Sequence, residues 1–222
     1  MKKGITKILS ACVFAFVVFL AAGTQSKAAV NMGVKQTGAG SSYVDLAWNA
    51  QLGAGHYHTQ FSQDGKNWID MEYSSSPSDS VYNLTQGASY YARVVAYNGS
   101  HYSGTHVMVG VSETAIVSTK PTEVTGLTQT AAGVNSVSMS WNASAGAASY
   151  VIYGYINYNW TQIGTSATNS ATITGVAATT STKFSVAAVK NVTGGTVTGD
   201  QCSGVEMKAI PIKVSRIAMQ YY

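Results

Sequence analysis

Val44-Asp45-Leu46-Ala47-Trp48-Asn49 returns 93 positions later as Val137-Ser138-Met139-Ser140-Trp141-Asn142, and in both places a tyrosine follows nine residues after the tryptophan, at Tyr57 and Tyr150. Within each stretch apolar residues alternate with small or polar ones, the period of a half-buried β-strand. A repeat of this length exceeds the roughly 20–50 residues of a solenoid unit and suits a small self-sufficient domain. Two copies of one module in tandem are therefore expected.

The repeat extends outward from these segments. Gly33-Val34-Lys35-Gln36-Thr37 answers Gly126-Leu127-Thr128-Gln129-Thr130 at the same offset, whereas Trp68 answers Trp160 and Leu84 answers Val176 at an offset of 92. One residue is lost between Tyr57 and Trp68 in register terms, as a surface hairpin loop tolerates. Gly, Asn and Ser clusters punctuate the alternation, and no helical periodicity accompanies it after the first 28 residues.

Composition agrees with an all-β class. Only 10% of residues are charged, against 22 glycines and 14 tyrosines, a mixture suited to short strands and turns with an uncharged polar surface. The formal charge of +4 is carried by the front of the chain: four of the 13 Lys and Arg are Lys2, Lys3, Lys7 and Lys27, and the remaining nine balance the nine acids. A nucleic-acid partner, which needs a basic stripe on the folded domain, is not expected. Those lysines flank the apolar run Ile8 to Ala22, and Ser26-Lys27-Ala28 offers small residues for cleavage, so residues 1–28 read as a signal peptide. Its apolar run is shorter than the roughly 20 residues of a membrane span, and no membrane insertion is expected after cleavage. Beyond it Cys202 is the only cysteine, which leaves no intrachain disulfide and a thiol expected in or near the last strand of the second module.

In order along the chain, Pro121, Trp141 and Tyr150 in the second copy, Trp48 and Tyr57 in the first, Leu84 six residues before Tyr90, and the strand Tyr90-Tyr91-Ala92-Arg93-Val94-Val95-Ala96-Tyr97-Asn98 resemble the fibronectin type III family. The resemblance implies two tandem seven-stranded antiparallel β-sandwiches after a signal peptide, with modules over 30–118 and 119–212. The tail 213–222 resembles the first strand of a further module. The family's tyrosine corner should be present at Tyr90 and missing from the second copy, where Thr182 takes the equivalent place. No Arg-Gly-Asp triplet occurs, so the integrin-binding loop of some animal members does not carry over.

No catalytic constellation is expected. Asp70 and Glu72 are too close along one strand to oppose each other across a cleft, and no nucleophile elbow, phosphate loop or calcium loop occurs. His56 and His58 flank the inward Tyr57 and so share the outer face of their strand, with His101 and His106 in or near a later loop. That spacing is compatible with a metal, but solvent-facing polar residues are the preferred reading, and neither a metal nor a cofactor is assigned. A binding face is expected instead, from His56, His58, Tyr91, Arg93 and Tyr97 in the first module and Tyr153, Tyr155, Tyr158 and Trp160 in the second. Tyr, Trp and Arg stack on sugar rings and anchor protein interfaces alike. The whole reads as a secreted, extracellular or cell-surface, non-catalytic tandem that binds an extracellular protein or glycan or acts as a spacer. Its alternatives are an accessory carbohydrate-binding module of a polysaccharide-degrading system and the front of a larger secreted enzyme. The oligomeric state stays open.

Overall fold

A computed structural model of the chain describes residues 28–103, 106–178 and 181–211. The expected signal peptide, apart from its last residue, and the tail 213–222 lie outside the described residues.

The first half contains β1 (Ala29–Val30), β2 (Lys35–Ala39), β3 (Val44–Ala47), β4 (His56–Ser62), β5 (Ile69–Ser74), β6 (Ser78–Val81), β7 (Ser89–Tyr97), β8 (Met108–Ser112) and β9 (Ala115–Ser118). One sheet runs β2-β3-β6 and the other β1-β8-β7-β4-β5, with β9 also pairing β7. The second half contains β10 (Thr128–Gly133), β11 (Ser136–Ser140), β12 (Ser149–Ile156), β13 (Asn159–Ser166), β14 (Ser170–Thr174), β15 (Thr182–Val192), β16 (Gly195–Thr198) and β17 (Val205–Met207). Its sheets run β10-β11-β14 and β13-β12-β15-β16, with β17 also on β15. Counting each interrupted last strand once, both halves are seven-stranded sandwiches of the same topology. Short β1, paired parallel to β8, is an addition of the first.

Each sandwich closes on its own core because alternate residues of both sheets point inward. Val44, Leu46, Val81, Tyr57, Phe61, Val94 and Ala96 belong to one buried cluster; Val137, Met139, Tyr150, Ile152, Phe184, Val186 and Ala188 belong to the other. The tryptophan and tyrosine of the repeat meet edge to face, with centroids 5.4 Å apart for Trp48–Tyr57 and 5.3 Å for Trp141–Tyr150. Tyr57 Oη accepts the Gln51 N–H at 3.1 Å, and Tyr150 Oη accepts the Ser144 N–H at 3.0 Å. Tyr90 Oη likewise accepts the Thr85 N–H at 3.0 Å, so the first sandwich has its tyrosine corner.

The single-residue length change falls in the β4–β5 hairpin. Ser62 and Trp68 flank five residues, whereas their counterparts Tyr155 and Trp160 flank four, and the shorter turn places Asn157 and Tyr158 at φ 49° and 65°. That pair of left-handed residues is the geometry of a tight two-residue hairpin. A second exchange occurs where the last strand breaks. Ser112 Oγ accepts the Val94 N–H at 2.8 Å, and at the equivalent Val186 the acceptor is Cys202 Sγ at 3.2 Å. The buried Cys202 thiol thus fills a backbone vacancy in the ladder.

The sandwiches touch through the connection and one hairpin. Thr119 Oγ1 donates to Thr85 O at 2.8 Å and the Lys120 N–H to Gly40 O at 2.9 Å, fixing the connection to the first sandwich. Lys120 Nζ meets Asp200 Oδ1 of the second at 2.7 Å. The β15–β16 turn reaches back to β9, where Thr193 N–H donates to Ile116 O at 2.8 Å and Thr193 Oγ1 accepts Ile116 N–H at 2.7 Å. Lys190, 4% exposed, donates from Nζ to Gly87 O of the first sandwich, and burial lowers its pKa from the usual lysine value.

Candidate functional site

Strands β4, β5 and β7 present one outer face in the first sandwich. His56 pairs with Tyr97 and His58 with both Val95 and Tyr73, which brings imidazoles and phenols into adjacent rows. The short 3-10 turn His101–Ser103 then folds back over the end of these strands. All four histidines of the chain are gathered there, the ring centroids of His56 lying 5.4, 5.5 and 5.1 Å from those of His58, His101 and His106. Tyr97 stacks on His56 at 5.3 Å and Tyr73 on His101 at 4.3 Å, walling the cluster with aromatic rings.

The expectation of a solvent-facing His56 is corrected by this arrangement. Its side chain does point away from the sandwich core, but Tyr97 and the returning segment cover it, leaving 1% exposed. Its Nδ1 lies 3.1 Å from Gly99 O, and because a carbonyl can only accept, Nδ1 carries the proton. The lone pair therefore sits on Nε2, which is buried and has no hydrogen-bond partner. His58 is half-buried; its Nε2 approaches His101 Nδ1 at 3.3 Å, and its Nδ1 lies 4.0 Å from Asp70 Oδ1. Burial lowers the His58 pKa, Asp70 opposes that shift, and the fields of His101, His56 and His106 reinforce it. One ring nitrogen from each of His56, His58 and His101 lies within 4.8 Å of the others.

A polar relay continues along the same face. Gln60 Nε2 donates to Asp70 Oδ1 and Arg93 Nε donates to Gln60 Oε1, both at 2.7 Å, and the Arg93 guanidinium lies 4.2 Å over the Trp68 ring. Arg93 is thus engaged within the sheet, its charge held by a cation–π contact. Tyr91 stands apart, 38% exposed and packed beside Gly65, beyond the relay. Of the residues expected on the first module's face, His56, His58 and Tyr97 come together; Arg93 joins them only through Gln60 and Asp70.

In the second sandwich Tyr153 and Tyr155 alternate outward along β12, and Tyr155 meets Trp160 edge to face at 5.3 Å. Trp160 also lies across Gly204, where a Cβ would come within 2.8 Å of its ring. Tyr158, at the hairpin tip, is 90% exposed and does not contribute to that pair. Sequence reasoning grouped His101 and His106 with His56 and His58 only as a spacing compatible with a metal, left them as solvent-facing, and missed Tyr73, Tyr102 and Asp70 as members of the first face. A further signal in the sequence is that all four histidines fall in a single repeat and none in the other.

No protein-family model matches the chain. A curated relative, Chitinase A1 of Niallia circulans, is 33% identical over 162 residues, or 69% of this chain; the match spans 22% of that relative's length. Among solved structures, the chicken CNTN1 FN1-FN3 domains align with 82% of this chain and 68% of theirs at 14% identity and a TM-score of 0.46. A two fibronectin type III domain segment from chicken tenascin aligns with 79% of this chain and 97% of its own at 15% identity and a TM-score of 0.39. No helix among the described residues is long and apolar enough to cross a membrane.

Proposed function

We infer that this chain, built as two fibronectin type III sandwiches in tandem, is a secreted non-catalytic module that holds a binding face at a fixed distance from whatever it is joined to. The observation that carries this reading is the joint. Lys190 inserts its ammonium against Gly87 O, Thr193 and Ile116 exchange two hydrogen bonds, and Lys120 is tied to both sandwiches. A flexible tether would need none of these contacts, and a buried lysine is costly to retain unless its partner stays in place. Small-angle scattering of the purified protein tests the reading. One interdomain arrangement should fit the data in both low and high salt, and Lys190→Gln together with Thr193→Val should broaden it. A wild-type profile that requires many interdomain angles would defeat the spacer role.

A second reading, an accessory carbohydrate module beside a polysaccharide-degrading activity, is favoured by the similarity to a chitinase and by the exposed Tyr155–Trp160 pair. Exposed aromatic rings of this kind suit stacking on sugar rings. Retention of the protein on insoluble chitin, lost on Trp160→Ala, supports it. Absence of retention on chitin, cellulose and xylan alike leaves the spacer reading alone.

A further inference from the structure

We propose that His56, His58 and His101 form a binding site for a divalent cation of the zinc, nickel or copper type. The neighbours of these rings place their protons. Gly99 O fixes the His56 proton on Nδ1 and Asp70 favours the His58 proton on Nδ1, which turns the Nε2 lone pair of each inward. His101 Nδ1 can supply one proton to that space, to His58 Nε2 at 3.3 Å, and His56 Nε2 remains buried without a donor. A cation would satisfy all three nitrogens at once.

Geometry and surroundings agree. Two nitrogens bound at about 2.0–2.1 Å in a tetrahedral site stand about 3.3 Å apart, which is the His58–His101 separation. Imidazole ligands select borderline metals over calcium or magnesium, which prefer oxygen. Backing of ligand histidines by a carbonyl and by a carboxylate is the usual outer shell of such sites, and Gly99 O and Asp70 occupy those places. Tyr97 and Tyr73 stack on two of the rings and limit their rotation. His106, its ring centroid 5.1 Å from that of His56 but 6.4 Å from those of His58 and His101, borders the three-nitrogen cluster, which leaves the fourth position to water. Bound metal would pin the segment carrying His101 onto β4.

Isothermal titration of tag-free protein with zinc and nickel chloride at pH 7.5 tests this, with magnesium and calcium chloride as controls. One equivalent per chain should bind for zinc or nickel and none for the controls, and affinity should fall at least tenfold at pH 5.5 as protons compete for the imidazoles. His101→Gln and Asp70→Asn alter groups near the surface and should fold normally by circular dichroism. Each should weaken binding at least tenfold, and the thermal shift produced by metal should vanish with His101→Gln. No stoichiometric binding by the wild type, or unchanged affinity in His101→Gln, would overturn the proposal.

Discussion

Removing one hydroxyl from each sandwich provides a matched experiment. Tyr57 and Tyr150 are both 4% exposed, their rings contact Trp48 and Trp141 at nearly equal distances, and their hydroxyls accept backbone N–H groups at 3.1 and 3.0 Å. Tyr→Phe at either position keeps the ring and its packing and deletes only the acceptor. A hydrogen bond of this kind contributes about 1 kcal/mol net, and the orphaned amides of Gln51 and Ser144, both half-buried, recover part of their loss from water. Each substitution should therefore destabilise its own sandwich by about 1 kcal/mol, roughly 4–8 °C in midpoint for a domain of this size. Hydrogen exchange read by mass spectrometry resolves the sandwiches within the intact chain. Tyr57→Phe should accelerate exchange in β3, β4 and β7, and Tyr150→Phe in β11, β12 and β15, by similar factors. The two losses should add in the double variant because the sites share no partners. Losses differing by more than about 1 kcal/mol would refute the equivalence of the two cores, and no loss at either site would refute the assigned hydrogen bonds.

Three further outcomes are expected. The second sandwich, with Thr182 where the first has its corner tyrosine, should exchange faster than the first, and Tyr90→Phe should narrow that gap by about 1 kcal/mol; equal protection in the wild type would count against this. Burial raises the Glu113 pKa, but N–H donors from Met32, Val34 and Gly33, with its own, outweigh it and hold the carboxyl below the ordinary range. Its stabilisation is thus present above an unfolded value of about 4.3 and lost as pH falls through the lower folded value. Acid titration of stability should be flatter in Glu113→Gln, and an unaltered profile would discount the clamp. Finally, a Cβ on Gly55 would collide with the Gly99 carbonyl that orients His56. Gly55→Ala should cost about 1–3 kcal/mol in urea unfolding and shift the His56 ring resonances in NMR spectra; wild-type stability would show that the approach is not tight.

Most of the fold was legible because it is written locally and twice. Alternation placed β3 and β11, the shift from an offset of 93 to 92 located the shortened hairpin, and Leu84 before Tyr90 announced the tyrosine corner. The site was only half legible. Period-two logic correctly turned His56 and His58 away from the sandwich core, but whether an outward residue meets solvent depends on what crosses above it. Here Gly99 and His101, more than 40 residues later, return over the strand, and no local pattern encodes that return. The same limit hid Lys190. A lysine near the end of a long strand reads as solvated, and its burial against Gly87 O arises only from the meeting of two sandwiches.

The exchange of Ser112 for Cys202 at the break in the last strand has a kinetic consequence. The buried sulfur accepts the Val186 N–H, so a thiol-reactive reagent should label it slowly while that hydrogen bond and the strand edge around it stay in place. Its labelling rate under native conditions is therefore a clock for the opening of that edge. The chain carries its own reporter of how often the second sandwich breathes.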